Sequence, residues 1–195
     1  MGRQAAALRA YISATPDRRV ARPDPATTSA LAAVADRRRV LVTQAAYVFS
    51  VRPGRQDGPM MLRRVFWDQL FYPESYQGWG WNGSDWGWGR PCTPILTGSF
   101  GEPSVRRLAD GTWVMSYLNC VTGCIVTRTA AGPDQAWTAE KVQIFPWQEP
   151  GLYGGFIHPW SSRHINDLHL LVSTWTRTPD RRTTAYHVSQ FVGTV

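Results

Sequence analysis

From residue 40 onward the chain alternates apolar and polar residues in short runs separated by turn signals. SVRRL (104–108), TWVMSYL (112–118), CIVTRTA (124–130) and KVQIF (141–145) carry the two-residue period and β-branched content of strands. Asp110-Gly111 separates the first two, VTG (121–123) the next two, and Gly132-Pro133-Asp134 precedes the last. The pattern predicts four antiparallel strands within about 45 residues, the size of one propeller blade.

The flanking segments repeat parts of this unit. GGFIHPW (154–160), LHLLVSTW (168–175) and TTAYHVSQFV (183–192) read as first, second and third strands of a following unit. Upstream, VLVTQAAYVFSV (40–51) and PMMLRRVF (59–66) are expected to join across Asp57-Gly58, with TPILTG (93–98) as an outer strand. A serine follows an apolar run in each unit, at Ser50, Ser116 and Ser173. The expectation is an all-β fold, an incomplete β-propeller of about three blades over residues 40–195. Closed propellers have roughly four to eight blades, so the chain reads as the C-terminal part of a larger ring, from a truncated or frameshifted reading frame. Open blade surfaces invite association, so the isolated chain is expected to be poorly soluble or oligomeric.

The first forty residues have a different character. They hold eleven Ala, one Gly, no Trp and no Phe, and eight Arg against three Asp. Residues 1–39 are therefore expected to be an Ala/Arg-rich tail, disordered or weakly helical, with no strand signal. The formal net charge of +7 sits largely there, because from residue 41 on 13 basic residues face 11 acidic ones. A basic tail on a near-neutral body does not make a nucleic-acid footprint, and no nucleic-acid partner is expected. No run of 18 apolar residues suits a membrane span, and no apolar stretch near the N-terminus is long enough for a secretory signal.

A Trp/Gly-rich insertion occupies 67–92, and its densest part is YQGWGWNGSDWGWG (76–89). Trp79, Trp81, Trp86 and Trp88 are interleaved with glycine, which contributes no packing surface, so the rings are not expected on a regular strand or helix face. Two readings stand side by side: a platform for a flat ligand, or an aromatic plug over a core. Cys120 and Cys124 flank the VTG turn, where a disulfide across the hairpin is possible given suitable geometry and an oxidising compartment. Cys92 reads as a small buried residue. No Cys/His spacing suits a metal, and no cofactor is implied.

The runs YVFSVRPGRQDGPMMLRRV, GEPSVRRLADGTWVMSYLN, QEPGLYGGFIHPW and TTAYHVSQFVGTV resemble the actinobacterial family called domain of unknown function 4185. The resemblance covers roughly residues 45–195. Some members of that family are endo-D-arabinanases, glycoside hydrolases acting on the D-arabinan of mycobacterial arabinogalactan and lipoarabinomannan. They are five-bladed propellers, usually exported to the cell envelope or secreted. The resemblance thus implies a cell-wall polysaccharide, D-arabinan, as partner. Full-length members look to carry their principal acids in aspartate motifs on early blades, and residues 1–40 hold nothing similar. The implied function is a fragment of an arabinanase-like hydrolase, inactive alone, or else a non-catalytic glycan-binding module.

Glycoside hydrolysis commonly uses two carboxylates flanking the scissile bond. Glu102 in GEPS and Glu149 in QEPG each stand before a predicted inner strand and a proline, and they are the catalytic candidates. Solvated or salt-bridged glutamates at a blade edge are the alternative. His158 within the next inner strand is a candidate substrate contact, with a buried histidine satisfied by backbone as the alternative, and Tyr153, just before that strand, is a candidate ring at the funnel entrance. Trp81 and Trp86 are candidate stacking rings for sugar C–H faces, with Asp85 and Asn82 as polar partners in the same loop. His164, His169 and His187 read as structural or exposed.

Overall fold

The computed structural model describes residues 11–13, 45–162, 167–177 and 184–194. Twelve strands carry the structure, and the only helical pieces among the described residues are short 3-10 turns. The four strands predicted between residues 104 and 145 are all present. They are β6 (Leu96–Arg107), β7 (Trp113–Asn119), β8 (Cys124–Ala130) and β9 (Lys141–Ile144), an antiparallel meander in chain order. At the β6–β7 turn Gly111 adopts φ +94° and the Asp110 carboxylate accepts a hydrogen bond from Thr112 N at 2.9 Å. Only glycine takes that backbone angle cheaply, which is why Asp-Gly marks the turn so clearly.

The unit before it contains β2 (Ala45–Ser50) and β3 (Asp57–Phe66), and the unit after it contains β10 (Leu152–Ile157), β11 (Leu168–Arg177) and β12 (Thr184–Gly193). β10–β12 form a separate three-stranded antiparallel sheet. The earlier strands are linked by hydrogen bonds into one larger sheet. β3 pairs with the first residues of β6, Asp57 opposite Ser99 through Met60 opposite Leu96, so strands from both units share one hydrogen-bonded sheet. The sheets are open, the fold is all-β as expected, and this pairing does not confirm a count of three blades.

Two further expectations are corrected. The β2–β3 connection is not Asp57-Gly58, which lies inside β3, but a 3-10 turn at Pro53–Arg55. Proline fixes its entry and Gly54 at φ +75° lets the chain reverse. A short strand, β1 (Tyr11–Ser13), pairs antiparallel with Tyr47–Phe49 inside the segment expected to carry none. The rest of the proposed tail, and His164, lie outside the described residues.

β7 is buried on both faces and sorts the core into two layers. Trp113, Met115 and Tyr117 point to one side, with Phe49, Met60, Leu62 and Phe100 from β2, β3 and β6. Val114 and Leu118 point to the other, with Ile125, Ile157, Leu168, Leu170 and Val172. Each fully buried aliphatic side chain contributes roughly 1.5–3 kcal/mol. Cys124 belongs to the first layer, whereas Cys120 packs against the second. Their side chains therefore leave the sheet on opposite faces, and both thiols are free. The possible bridge is not made here, and burial pushes the Cys120 thiol up from its ordinary range.

A polar knot ties β7, β8 and the loop before β9 together. Tyr117 OH donates to Glu140 Oε1 at 2.6 Å and accepts from Arg128 Nε at 2.8 Å, while Asn119 Nδ2 donates to both Glu140 oxygens. Burial raises the Tyr117 phenol well above the ordinary tyrosine value. Ionisation is thus harder in the folded chain than in the unfolded one. The associated stability is fully present below about pH 10 and falls as the pH rises beyond it. Tyr117→Phe should flatten the alkaline fall in a urea-denaturation series from pH 9 to 11; an unchanged slope would contradict this origin.

The sheets approach closely at Gly155, where an added Cβ would come within 2.7 Å of Ile125 Cγ2 and 3.2 Å of Ser116 Oγ. Gly155→Ala should therefore cost about 1–3 kcal/mol by forcing β10 away from β7 and β8. Chemical denaturation followed by tryptophan fluorescence reads this loss.

Candidate functional site

Glu102 sits where β6 is irregular: its register against β7 shifts between Gly101 and Ser104. Such a bulge turns a side chain out of the strand's regular alternation. Glu102 itself has φ +44°, and Arg55 at the β2–β3 turn has φ +62°. These are the two non-glycine residues with left-handed φ among the described residues, and their side chains meet. Arg55 Nη2 donates to Glu102 Oε2 at 2.5 Å and Nε donates to Oε1 at 3.3 Å, a two-pronged pair. The same Nη2 donates to the Tyr153 carbonyl at 2.8 Å, and the guanidinium carbon lies 3.8 Å from the centre of the Tyr153 ring. Ser99 Oγ donates to the Arg55 carbonyl at 2.8 Å and steadies the turn.

Glu102 and Tyr153 line one cleft of about 360 Å³ together with Ser104, Ser173, Tyr186 and Val188. Tyr153, Trp175 and Tyr186 form an edge-to-face aromatic cluster beside it, with ring centroids 5.1–6.3 Å apart. Glu149 and His158 do not line this cleft. Glu149 follows the turn that begins at Phe145, its amide donating to the Phe145 carbonyl at 3.3 Å. His158 Nδ1 accepts from the Trp160 amide at 3.2 Å, and its ring lies edge-on to Trp160 at 4.5 Å. That environment closes a local turn. His169 is held by Asp167 at 3.0 Å and by Gln190 at 2.9 Å.

The tryptophan stretch forms a regular hairpin, contrary to expectation. β4 (Gln77–Trp81) pairs with β5 (Trp86–Trp88), placing Trp79 opposite Trp88 and Trp81 opposite Trp86. The Trp-Gly alternation has the two-residue period of a strand, so the rings share one face and the glycines the other. The glycine face is filled by backbone: a Cβ at Gly80 would overlap the Pro91 carbonyl, and one at Gly78 would come 2.8 Å from Cys92 Sγ. Thr93 Oγ1 accepts from Trp81 N at 2.9 Å and fixes the segment behind the hairpin.

On the other face the rings run in a row. Trp81 contacts Trp86, Trp86 stacks on Trp79 at 5.8 Å and 19°, Trp79 meets Trp88, and Trp88 meets Tyr47. Arg64 lies over Trp88 at 4.5 Å. Trp79 and Trp88 pack against the core, whereas Trp81 and Trp86 are 46% and 40% exposed. Two rings of the stretch therefore plug the core, and two stand open to solvent. Asn82 Oδ1 accepts from the Ser84 and Asp85 amides and closes the hairpin turn. The Arg90 hydrogen bond at 2.9 Å, helped by Ser84 and Asn82, holds the Asp85 carboxyl below its usual range. Asp85 is therefore occupied as a structural partner of Arg90, although its side chain is exposed.

Arg55, Ser173, Trp175 and Tyr186 were not singled out as site residues from sequence. The model for the domain of unknown function DUF4185 matches residues 14–192. The chain belongs to the DUF4185 family. Notoamide biosynthesis cluster protein J' of Aspergillus versicolor is 59% identical over 155 residues, covering 76% of this chain and 43% of that protein. An uncharacterised 35.9 kDa protein of Mycolicibacterium smegmatis is 30% identical over 152 residues, 70% of this chain and 44% of that one. The chain thus spans less than half the length of these curated relatives. The higher identity is to a fungal protein, so the actinobacterial origin implied by the resemblance gains no support. Among solved structures, a hydrolase candidate from Bacteroides ovatus aligns with a TM-score of 0.48 at 14% identity, over 67% of this chain and 35% of that one.

The two classes of ring in this DUF4185 hairpin should respond differently to truncation. Trp86→Ala removes a half-exposed ring and should cost less than about 1 kcal/mol. Trp88→Ala also removes core packing, the Tyr47 contact and the Arg64 cation–π pair, and should cost about 3 kcal/mol. Thermal denaturation of both variants makes the comparison, and equal losses would mean that all four rings serve packing.

Proposed function

We propose that this DUF4185 chain is the glycan-contacting part of a glycoside-hydrolase-like β-propeller, binding saccharide in the Glu102 cleft. The observation that carries the reading is the cleft's composition: a fixed carboxylate and a serine beside exposed tyrosine and tryptophan rings. Carboxylate and hydroxyl groups accept from sugar hydroxyls, and aromatic faces pack on sugar C–H faces. D-arabinan is the polymer proposed, on the strength of the family resemblance. Among the described residues Glu102 is the one carboxylate lining this cleft, and Glu149 lies elsewhere. The reading therefore favours binding over turnover for the chain alone, since hydrolysis needs a second group on the other side of the bond.

A second reading follows from the relative's name. A 59% identical protein is named for notoamide biosynthesis, which favours a small-molecule ligand. The cleft volume of about 360 Å³ is also in the range of small-ligand pockets.

Incubation of the purified chain with D-arabinan, with chromatography of the products and calorimetric binding in parallel, tests the proposal. Saturable binding without released fragments is expected, and Tyr186→Ala should weaken it by about 1 kcal/mol. Fragments that disappear in Glu102→Gln or Glu149→Gln would replace the binding reading with a catalytic one. Absence of binding would favour the small-molecule reading.

A further inference from the structure

Glu102 and Arg55 come from different parts of the chain, and both adopt backbone angles that non-glycine residues avoid. Such strain costs of order 1–3 kcal/mol per residue and persists only where surrounding structure enforces it. Here Ser99 holds the Arg55 carbonyl, Tyr153 supplies both a carbonyl and a ring to the guanidinium, and the bulge in β6 turns Glu102 toward it. β2–β3, β6 and β10 are thereby joined at a single point.

We infer that Arg55 is a positioning residue that fixes Glu102 as an acceptor for a vicinal pair of hydroxyls on an uncharged sugar; the inference rests on the saccharide reading above. Arg55 grips both carboxylate oxygens through Nε and Nη2, so the plane of the carboxylate is set before any ligand arrives. Each oxygen keeps lone-pair capacity for a hydroxyl donor, and two oxygens side by side match two neighbouring hydroxyls. A carboxylate paired with a guanidinium presents hydrogen-bond acceptors to a ligand.

The charge balance selects the ligand class. Glu102 is the one charged residue lining the cleft among the described residues, and Arg55 neutralises it. The cleft therefore presents no net charge to a uronate or phosphate. An anion therefore gains no net attraction there to offset the loss of its own hydration, because the guanidinium is already engaged. Ser104 and Ser173 are uncharged, and Tyr186 and Val188 give an apolar wall. That set suits a neutral polyol with one apolar face.

Calorimetric titration with a neutral arabino-oligosaccharide and with an oligogalacturonate tests this, using the full chain and four variants. Wild type should bind the neutral sugar and bind the galacturonate at least tenfold more weakly. Arg55→Met should weaken neutral-sugar binding by about tenfold or more, the effect expected of a lost charge-assisted anchor. Arg55→Lys, which keeps the charge but not the fork, should recover only part of the loss. The decisive comparison is Glu102→Gln against the Arg55→Met/Glu102→Gln pair. If Arg55 acts through Glu102, the double variant binds no more weakly than Glu102→Gln alone. A purely structural role for Arg55 would instead give multiplied losses, and that result would overturn the inference. Wild-type binding that is unchanged in folded Arg55→Met or Arg55→Lys would also overturn it, as would preference for the galacturonate. If wild type binds neither saccharide, the saccharide reading itself falls and this inference with it.

Discussion

A strand that changes partner half-way along its length holds the molecule together. β6 pairs with β3 through Leu96–Ser99 and with β7 from Phe100 onward. It packs on β10 as well, where Ser104 Oγ accepts from the Ile157 amide at 3.1 Å. No single straight ladder satisfies all these neighbours, and the register shift between Gly101 and Ser104 absorbs the conflict. The residue carried on that irregularity is Glu102. The site is thus placed by a geometric necessity of joining sheets, and the strain in its backbone is held by the same joint.

The β6–β9 meander was legible in the sequence because its signals are local. Alternation marks the strands, and Asp110-Gly111 and Gly123 supply the left-handed backbone the turns require. The same rule misled at Asp57-Gly58, where the dipeptide lies within β3. The neighbouring Pro53 and Gly54 make the turn instead, and the two candidates are too close for local propensity to separate them. The tryptophan hairpin escapes a reading in which glycine marks irregularity. Its alternation with tryptophan is itself a strand period, visible only when glycine is counted as the filler of a tightly covered face.

Glu102 and Tyr153 were both visible as candidates, since each begins a predicted inner strand. Their shared cleft was not visible, because they lie 51 positions apart in the chain. Arg55 carried no signal of its own among 20 arginines. Its importance comes from a turn and a bulge that bring two strained residues together, and neither is written in a local pattern. The absent Cys120–Cys124 bridge has a similar origin. Sequence spacing gives separation along the chain, whereas the face on which each thiol leaves the sheet depends on where the strand ends.

The tryptophan hairpin has two faces with opposite freedom to vary. Behind it, the Arg90–Thr93 segment lies so close that Gly78 and Gly80 have no room for even a methyl group. In front, Trp81 and Trp86 stand outside the core, 46% and 40% exposed, and their packing is confined to neighbouring rings of the same row. Those two rings can be exchanged while the hairpin beneath them stays fixed. The covered side acts as a rigid mount and the open side as a surface that can change without the fold having to change with it.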